Sequence, residues 1–202
     1  MTYAMHTAAE LPDLWARGIP SEAVWPEFNL HGDVLNTWWG HLDEELADFQ
    51  FVLYDELNDE VVAERHTGPL WWDGSDATLP DGIDSAIQQI SGRHRGNEPV
   101  NTLCALAAES PRQGRSRGLA PRLLQAMREI GQRHGLAHLV APVRPSFKDR
   151  CPLTAIERYV TWRREDGQLL DPWMRAHERL GARVTTPLPR SCLLYTSDAA
   201  DE

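Results

Sequence analysis

RSRGLAPRLL, residues 115–124, joins an arginine-rich turn to the start of an amphipathic helix. The unpaired backbone N–H groups at a helix start carry partial positive charge and bind anions. Gly118 has no side chain to keep an anion away from the backbone. Arg115 and Arg117 can donate charge-assisted hydrogen bonds to phosphate oxygens. The turn is therefore predicted to bind a diphosphate.

Two familiar phosphate-binding signatures are absent from this turn. The dinucleotide pattern G-x-G-x-x-G is not there, and no lysine stands nearby as the pattern G-x-x-x-x-G-K-[ST] requires. A solvated arginine-rich loop in front of an ordinary helix stays open as the alternative. The secondary structure predicted on either side of the turn helps to distinguish a diphosphate-binding turn from a solvated loop.

The turn lies between two predicted strands, 101–109 and 138–143. The helix that starts at the turn has an apolar stripe with one histidine at its end, made of Leu119, Leu123, Met127, Ile130 and His134. A strand, a helix and a second strand in this order predict a βαβ-like unit.

The first half of the chain predicts helices and then a hairpin. Residues 1–46 have helical spacing, 49–54 and 60–67 read as paired strands, and 68–82 read as a loop rich in Gly, Pro and Asp. A short helix follows, with an apolar stripe of Ile83, Ala86, Ile87 and Ile90.

The last part of the chain predicts an insertion, a helix and the start of a strand. Residues 145–170 form the insertion. Asp171 and Pro172 are typical of a helix start, and Gly181 is typical of a helix end. ARVTT, residues 182–186, reads as a further strand.

Residues 192–202, CLLYTSDAADE, resemble an in-frame translation of a sequencing adapter. We expect this tail not to be native and the natural sequence to be cut near Ser191. Residues 1–191 are then expected to form a single domain whose final strand or strands are missing.

Charge is divided unevenly along the chain. Residues 1–100 carry 19 acidic and 4 basic side chains, whereas 101–191 carry 8 acidic and 16 basic. The basic half favours a polyanionic ligand. Nucleic acid is not expected, because no basic face with interleaved aromatics is evident and the acidic half would repel phosphates.

Several classes of protein are not expected from the sequence. No apolar run is long enough to span a bilayer, so no membrane partner is predicted, and the N-terminus does not have the pattern of a secretion signal. Outside the tail only Cys104 and Cys151 remain, which fits a reducing cytoplasm and no disulfide framework. No metal site is predicted.

Residues 115–120 match R/Q-x-x-G-x-G/A, and the chain here resembles the GNAT superfamily of N-acetyltransferases in its acetyl-CoA pyrophosphate loop. HERLGAR, residues 177–183, is similar to the end of the family's next helix, and the resemblance covers roughly residues 49–185. The insertion also resembles a bacterial subgroup. The resemblance implies an α/β (α+β) fold with a mixed, mostly antiparallel sheet flanked by helices.

The resemblance also implies an activity: direct transfer of an acetyl or other acyl group from CoA to the amine of a small molecule or peptide. The acetyl-CoA residues that it implies are Leu106, Ala107, Ala108 and Glu109 for pantetheine, and Arg115, Ser116, Arg117, Gly118, Leu119 and Ala120 for pyrophosphate. Many members of the family dimerise, which makes a homodimer a candidate assembly.

Acyl transfer to an amine needs a base and an acid. Glu109 is the candidate base: by alternation it shares a strand face with Leu103, Ala105 and Ala107, and an exposed strand-end carboxylate is the alternative. His177 aligns with the tyrosine that is the family's usual acid, and a hydrogen-bonded histidine at the core edge is its alternative.

Tyr159 in the insertion is a second candidate acid, with core packing as its alternative. Two other functions stay open at this stage. One is a non-catalytic CoA-binding module, favoured by the histidine at position 177, and the other is an anion-binding module that uses the basic half.

Overall fold

A five-stranded sheet forms the centre of the computed structural model, which describes residues 3–20, 33–110 and 119–189. The strands are β1 Ala4–Thr7, β2 Phe51–Asp55, β3 Glu60–Leu70, β4 Thr102–Glu109 and β5 His138–Val140. The main helices are α1 Pro12–Arg17, α2 Asp33–Glu45, α3 Ile83–Arg95, α4 Leu119–Arg133, α5 Ile156–Tyr159 and α6 Pro172–Arg179.

The strands are ordered along the sheet as they are along the chain. Neighbours from β1 to β4 are antiparallel, while β4 and β5 are parallel and are connected through α4. A parallel pair needs a long crossover connection, which the helix provides. The predicted βαβ unit and the predicted mixed, mostly antiparallel sheet with flanking helices are both confirmed.

Helices cover both faces of the sheet, and alternation along β4 shows how. Leu103 and Ala105 pack in one core with α4, whereas Cys104 and Leu106 pack in a second core with α2 and α3. The predicted stripe of α4 is buried from Leu119 to Ile130. His134 lies just past the end of the helix, where its ring packs against Phe49 with the ring centroids 4.2 Å apart.

Two predictions for the first half were wrong. Residues 4–7 form a strand rather than a helix, because they pair with β2. Residues 68–70 continue β3 rather than start a loop. A Cβ on Gly68 would lie 2.7 Å from Ile90, so the glycine is where the strand and α3 approach closely. Pro69 is tolerated because β2 pairs only with residues 60–65 of β3.

Two predictions for the second half were also wrong. The strand expected at 138–143 ends at Val140, two residues before Pro142. Residues 182–188 have no regular secondary structure, since a strand needs a neighbour and none of the described residues pairs with them. The helix expected after Asp171 is confirmed as α6.

Some expectations lie outside the described residues. These are most of the diphosphate turn, residues 111–118, and the C-terminal segment 190–202 with its adapter-like tail. Within the described ranges, the structure contains no helix with the length and apolar character needed to cross a membrane.

Candidate active site

The edge of β4 that faces β5 is only partly paired. β5 pairs with β4 through residues 102–104 alone. Beyond Cys104, residues 105–109 have no strand on that side among the described part of the chain. Backbone groups at such an edge can pair with an extended ligand. All four predicted pantetheine residues lie there: Leu106, Ala107, Ala108 and Glu109.

A bulge on β4 changes where Glu109 lies. Ala105 pairs with Thr67 and Ala107 pairs with His66, so Leu106 is an extra residue between them. An extra residue inverts the alternation that follows it. Glu109 is therefore not on the face of Leu103, as simple alternation predicted, but lies opposite Glu64 and shares the face of Glu64 and His66.

Glu109 is buried beside a second buried charge. Its exposed fraction is 1%, so the alternative of an exposed strand-end carboxylate is wrong. Burial lowers the pKa of Arg65 to about 9, and the negative charge of the Glu109 carboxylate partly offsets this by raising the same pKa. Arg65 is 2% exposed, and its Nη1 donates to the backbone oxygen of Glu64 at 3.1 Å.

α6 places His177 within electrostatic range of Arg65. Asp171 caps the helix by accepting hydrogen bonds from the backbone N–H groups of Trp173 and Met174, and Pro172 occupies the first turn. Trp173 packs edge-on against the His177 ring, with the ring centroids 4.6 Å apart. Arg65 therefore interacts electrostatically with two predicted site residues, with Glu109 and with His177.

The pKa of His177 is lowered to about 4, by burial first and by the charge of Arg65 second. The imidazole is then neutral near pH 7, and the protonated form that a general acid requires is scarce. A neutral imidazole can still donate one N–H or accept one hydrogen bond. His177 is therefore better suited to hydrogen bonding than to proton donation in the protein without ligands.

We predict that acid destabilises the protein through His177. The folded pKa of about 4 lies below the unfolded value near 6.5, so stability is present above pH 6.5 and is lost as the pH falls towards 4. The free energy of unfolding should drop by roughly 1–2 kcal/mol from this residue between pH 7 and pH 5. Urea denaturation at both pH values measures this, and a His177→Gln variant with an equally steep drop would contradict it.

Tyr159 has a structural partner. The side chain is 2% exposed, and its hydroxyl donates to Oδ2 of Asp171 at 3.0 Å. Burial and this hydrogen bond raise the pKa of Tyr159 well above its usual value. The same Asp171 oxygen accepts the backbone N–H of Phe147 at 2.9 Å. The packing alternative therefore fits Tyr159 better than the role of acid.

A Tyr159→Phe variant is expected to fold less stably and to keep its turnover. A hydrogen bond to a charged group contributes about 1.5–3 kcal/mol to stability, and the variant removes it while the ring stays in place. Thermal melts and kcat with saturating acetyl-CoA separate the two effects. A fall in kcat of tenfold or more, with only a small shift in Tm, would contradict this prediction and support a role for Tyr159 as the acid.

The predicted pyrophosphate loop can be located only at its end. Leu119 and Ala120 are the first two residues of α4, and Leu119 is buried in the core. Arg115, Ser116, Arg117 and Gly118 lie outside the described residues, so their role stays a prediction. Among the described elements, α4 is the next one after β4 along the chain, as the sequence predicted.

The sequence did not single out a cluster around His66. Oε1 of Glu64 lies 3.1 Å from Nε2 of His66, and Oδ1 of Asp43 lies 3.8 Å from its Nδ1. The rings of Trp15 and Trp39 pack on His66 with ring centroids at 5.3 and 4.7 Å. We call these five residues the His66 cluster. Glu64 and His66, which alternate along β3 and so share one face of it, were its signal in the sequence.

Among the described residues, no group of three or more His, Cys, Asp or Glu side chains could hold a metal ion. Buried Cys104 is a poor nucleophile, because burial raises the pKa of its thiol to about 12.

The parallel strands β4 and β5 pair only through residues 102–104 of β4, so the carboxyl end of β4 has no strand beside it on that side among the described residues, and ionisable groups lie next to it. No family model matches the chain. The chain is 30% identical over 208 residues to arginine N-acetyltransferase avaD of Aspergillus versicolor, and the alignment covers 94% of this chain and 71% of the relative. The chain therefore belongs to the GNAT superfamily and is a CoA-dependent N-acyltransferase.

Two solved structures have the same fold. The loading GNATL domain of CurA from Lyngbya majuscula superimposes with a TM-score of 0.66 at 24% identity, covering 94% of this chain and 88% of that chain. The GphF GNAT-like decarboxylase in complex with isobutyryl-CoA gives 0.62 at 19% identity, covering 91% of this chain and 86% of that chain. At these identities the likeness concerns the fold alone.

Proposed function

We propose that this chain transfers the acetyl group of acetyl-CoA to the amine of a small cationic molecule, with arginine as the first acceptor to test. The observation that carries the proposal is the edge of β4 at residues 105–108, which has no strand beside it on the side of β5 among the described residues and leads to buried Glu109. The similarity to an arginine N-acetyltransferase supports the choice of acceptor. In this proposal residues 1–191 act as one acyltransferase domain.

The free edge of β4 suits the extended pantetheine arm. Amide and carbonyl groups of residues 106–109 would pair with the arm as a neighbouring strand would. Arg115, Ser116, Arg117 and Gly118, with the first N–H groups of α4 at Leu119 and Ala120, would hold the diphosphate. The thioester would then lie near the bulge, where β4 has its extra residue.

The chemistry needs one proton to move from nitrogen to sulfur. The amine attacks the thioester carbonyl, a C–N bond forms, the C–S bond breaks and CoA leaves as a thiolate. Glu109 would accept the proton that the attacking nitrogen loses. His177, neutral near pH 7, would hydrogen-bond to the reacting groups. The proton lost by the nitrogen would finally protonate the CoA thiolate, so that CoA is released as the free thiol.

An assay of CoA thiol release tests the proposal. The protein is incubated with acetyl-CoA and single amines, beginning with arginine, and the products are identified by mass. We expect thiol release that depends on the amine and one new acetyl-amine product. Acetyl-CoA that binds the folded protein without any amine-dependent release would contradict the proposal.

A further inference from the structure

The His66 cluster contains a buried ring nitrogen that has no hydrogen-bond partner among the described residues. Nε2 of His66 lies 3.1 Å from Oε1 of Glu64, and in the neutral tautomer whose proton is on Nε2 the other nitrogen, Nδ1, is an acceptor. Nδ1 is buried and has no hydrogen-bond partner among the described residues. Buried polar atoms without partners are costly and uncommon in native proteins. A ligand with N–H donors would satisfy this atom.

The group that faces Nδ1 is an acceptor as well. Oδ1 of Asp43 lies 3.8 Å away, which is too long for a hydrogen bond but close enough for one cationic nitrogen to approach both atoms. The Asp43 side chain is 41% exposed while that of His66 is 4% exposed. The cluster is therefore open to solvent at Asp43 and closed at His66.

The charge of the surroundings favours a cation. Oε2 of Glu64 accepts the backbone N–H of Ile19 at 2.7 Å, which fixes the carboxylate in place. Burial and the carboxylates of Glu64 and Glu44 raise the pKa of Asp43, and His66 opposes them. Adjacent carboxylates repel one another, and a bound cation relieves the repulsion.

The two indole rings suit the same ligand. Trp15 and Trp39 both contact the ring of His66, from α1 and α2 respectively. A guanidinium group stacks on aromatic rings and carries five N–H donors, so it matches a site with acidic oxygens, one bare nitrogen and aromatic walls.

The cluster lies beside the reacting groups. His66 pairs with Ala107, and Glu64 pairs with Glu109, at the free edge of β4. An acceptor whose cationic end reached the His66 cluster would therefore lie on the same face of the sheet as the proposed base.

We propose that the His66 cluster binds the guanidinium or ammonium side chain of the acceptor and so selects a cationic amine. The inference rests on the proposed function, because it assigns a subsite of the same active site. The excess of acidic residues in 1–100 would draw such an acceptor towards the protein.

The test compares arginine with citrulline, which has the same length and a neutral end group. The parent should prefer arginine in kcat/KM, and Asp43→Asn should reduce kcat/KM for arginine about 10- to 100-fold, mainly through KM. Citrulline should be used equally by both proteins. Asp48→Asn, which also removes one exposed carboxylate, is the matched control and should behave as the parent.

Two results would overturn the subsite. The first is equal use of arginine and citrulline by the parent, with acetyl transfer intact. The second is an Asp43→Asn variant with unchanged kcat/KM for arginine; if that variant also melts earlier, Asp43 and His66 form only a structural ion pair.

Failure of the proposed function can be told apart from failure of the subsite. Calorimetric titration of arginine into the parent and into Asp43→Asn measures binding without turnover. Arginine binding that the variant loses would support the subsite even if no amine is acetylated. Arginine that binds neither protein, with acetyl-CoA present or absent, would overturn the subsite.

Discussion

Glu109→Gln is expected to lower kcat about 100- to 10,000-fold while acetyl-CoA still binds. The amide cannot accept the proton that the attacking amine must lose, but it keeps the shape of the side chain and the backbone of β4. The loss corresponds to roughly 3–5 kcal/mol in the activation free energy. Steady-state kinetics with a cationic amine, together with calorimetry of acetyl-CoA, measure the two quantities separately.

Buried Arg65 complicates this substitution, because the variant leaves its charge with less compensation. The double variant Arg65→Met/Glu109→Gln removes both charges and separates the causes. If Glu109 is the base, the double variant regains stability but stays slow. Recovery of kcat in the double variant would show that the single substitution acted only through an unpaired arginine.

Glu129→Gln provides the matched control. Glu129 lies on α4 and makes a surface ion pair with Arg122, an interaction that contributes little to stability. Its kcat and Tm should stay near those of the parent. A loss of kcat equal to that of Glu109→Gln would point to a general effect of removing a carboxylate.

Elements with strong periodic patterns were predictable from the sequence. The stripe of α4 and the apolar run of β4 follow from local chemistry, since a buried face demands apolar residues at fixed spacing. Segments whose structure depends on a neighbour were not predictable. Residues 4–7 form a strand only because β2 is beside them, and Gly68 stays in β3 because Ile90 packs against it.

The site was predictable in part, for the same reason. Glu109 was predicted as a site residue from its place at the end of β4. The predicted face of the strand was wrong, because nothing in NTLCALAAE reveals the bulge at Leu106. The His66 cluster joins residues from α1, α2 and β3, and a single sequence does not show that these segments meet. Tyr159 was a candidate acid from the sequence, which does not show that its hydroxyl donates a hydrogen bond to Asp171.

Gly118→Glu is expected to weaken acetyl-CoA binding at least 100-fold, which is about 2.7 kcal/mol. The predicted loop brings backbone N–H groups against a diphosphate, and a carboxylate there adds like charge where an anion must approach. Gly118→Ala adds bulk without charge and should have a smaller effect. Calorimetric titration of acetyl-CoA into the parent and both variants measures the difference.

Gly92→Glu supplies the control for charge, because this exposed helical glycine has no atom within 4 Å of an added Cβ. The control variant should bind acetyl-CoA like the parent, since its carboxylate is added on α3, which packs in a different core from α4. Parent affinity in a well-folded Gly118→Glu protein would mean that the turn is only a helix start. The diphosphate would then have to bind elsewhere, and Arg115 and Arg117 would not have the role predicted for them. The proposed pairing of the pantetheine arm with the edge of β4 would not be affected.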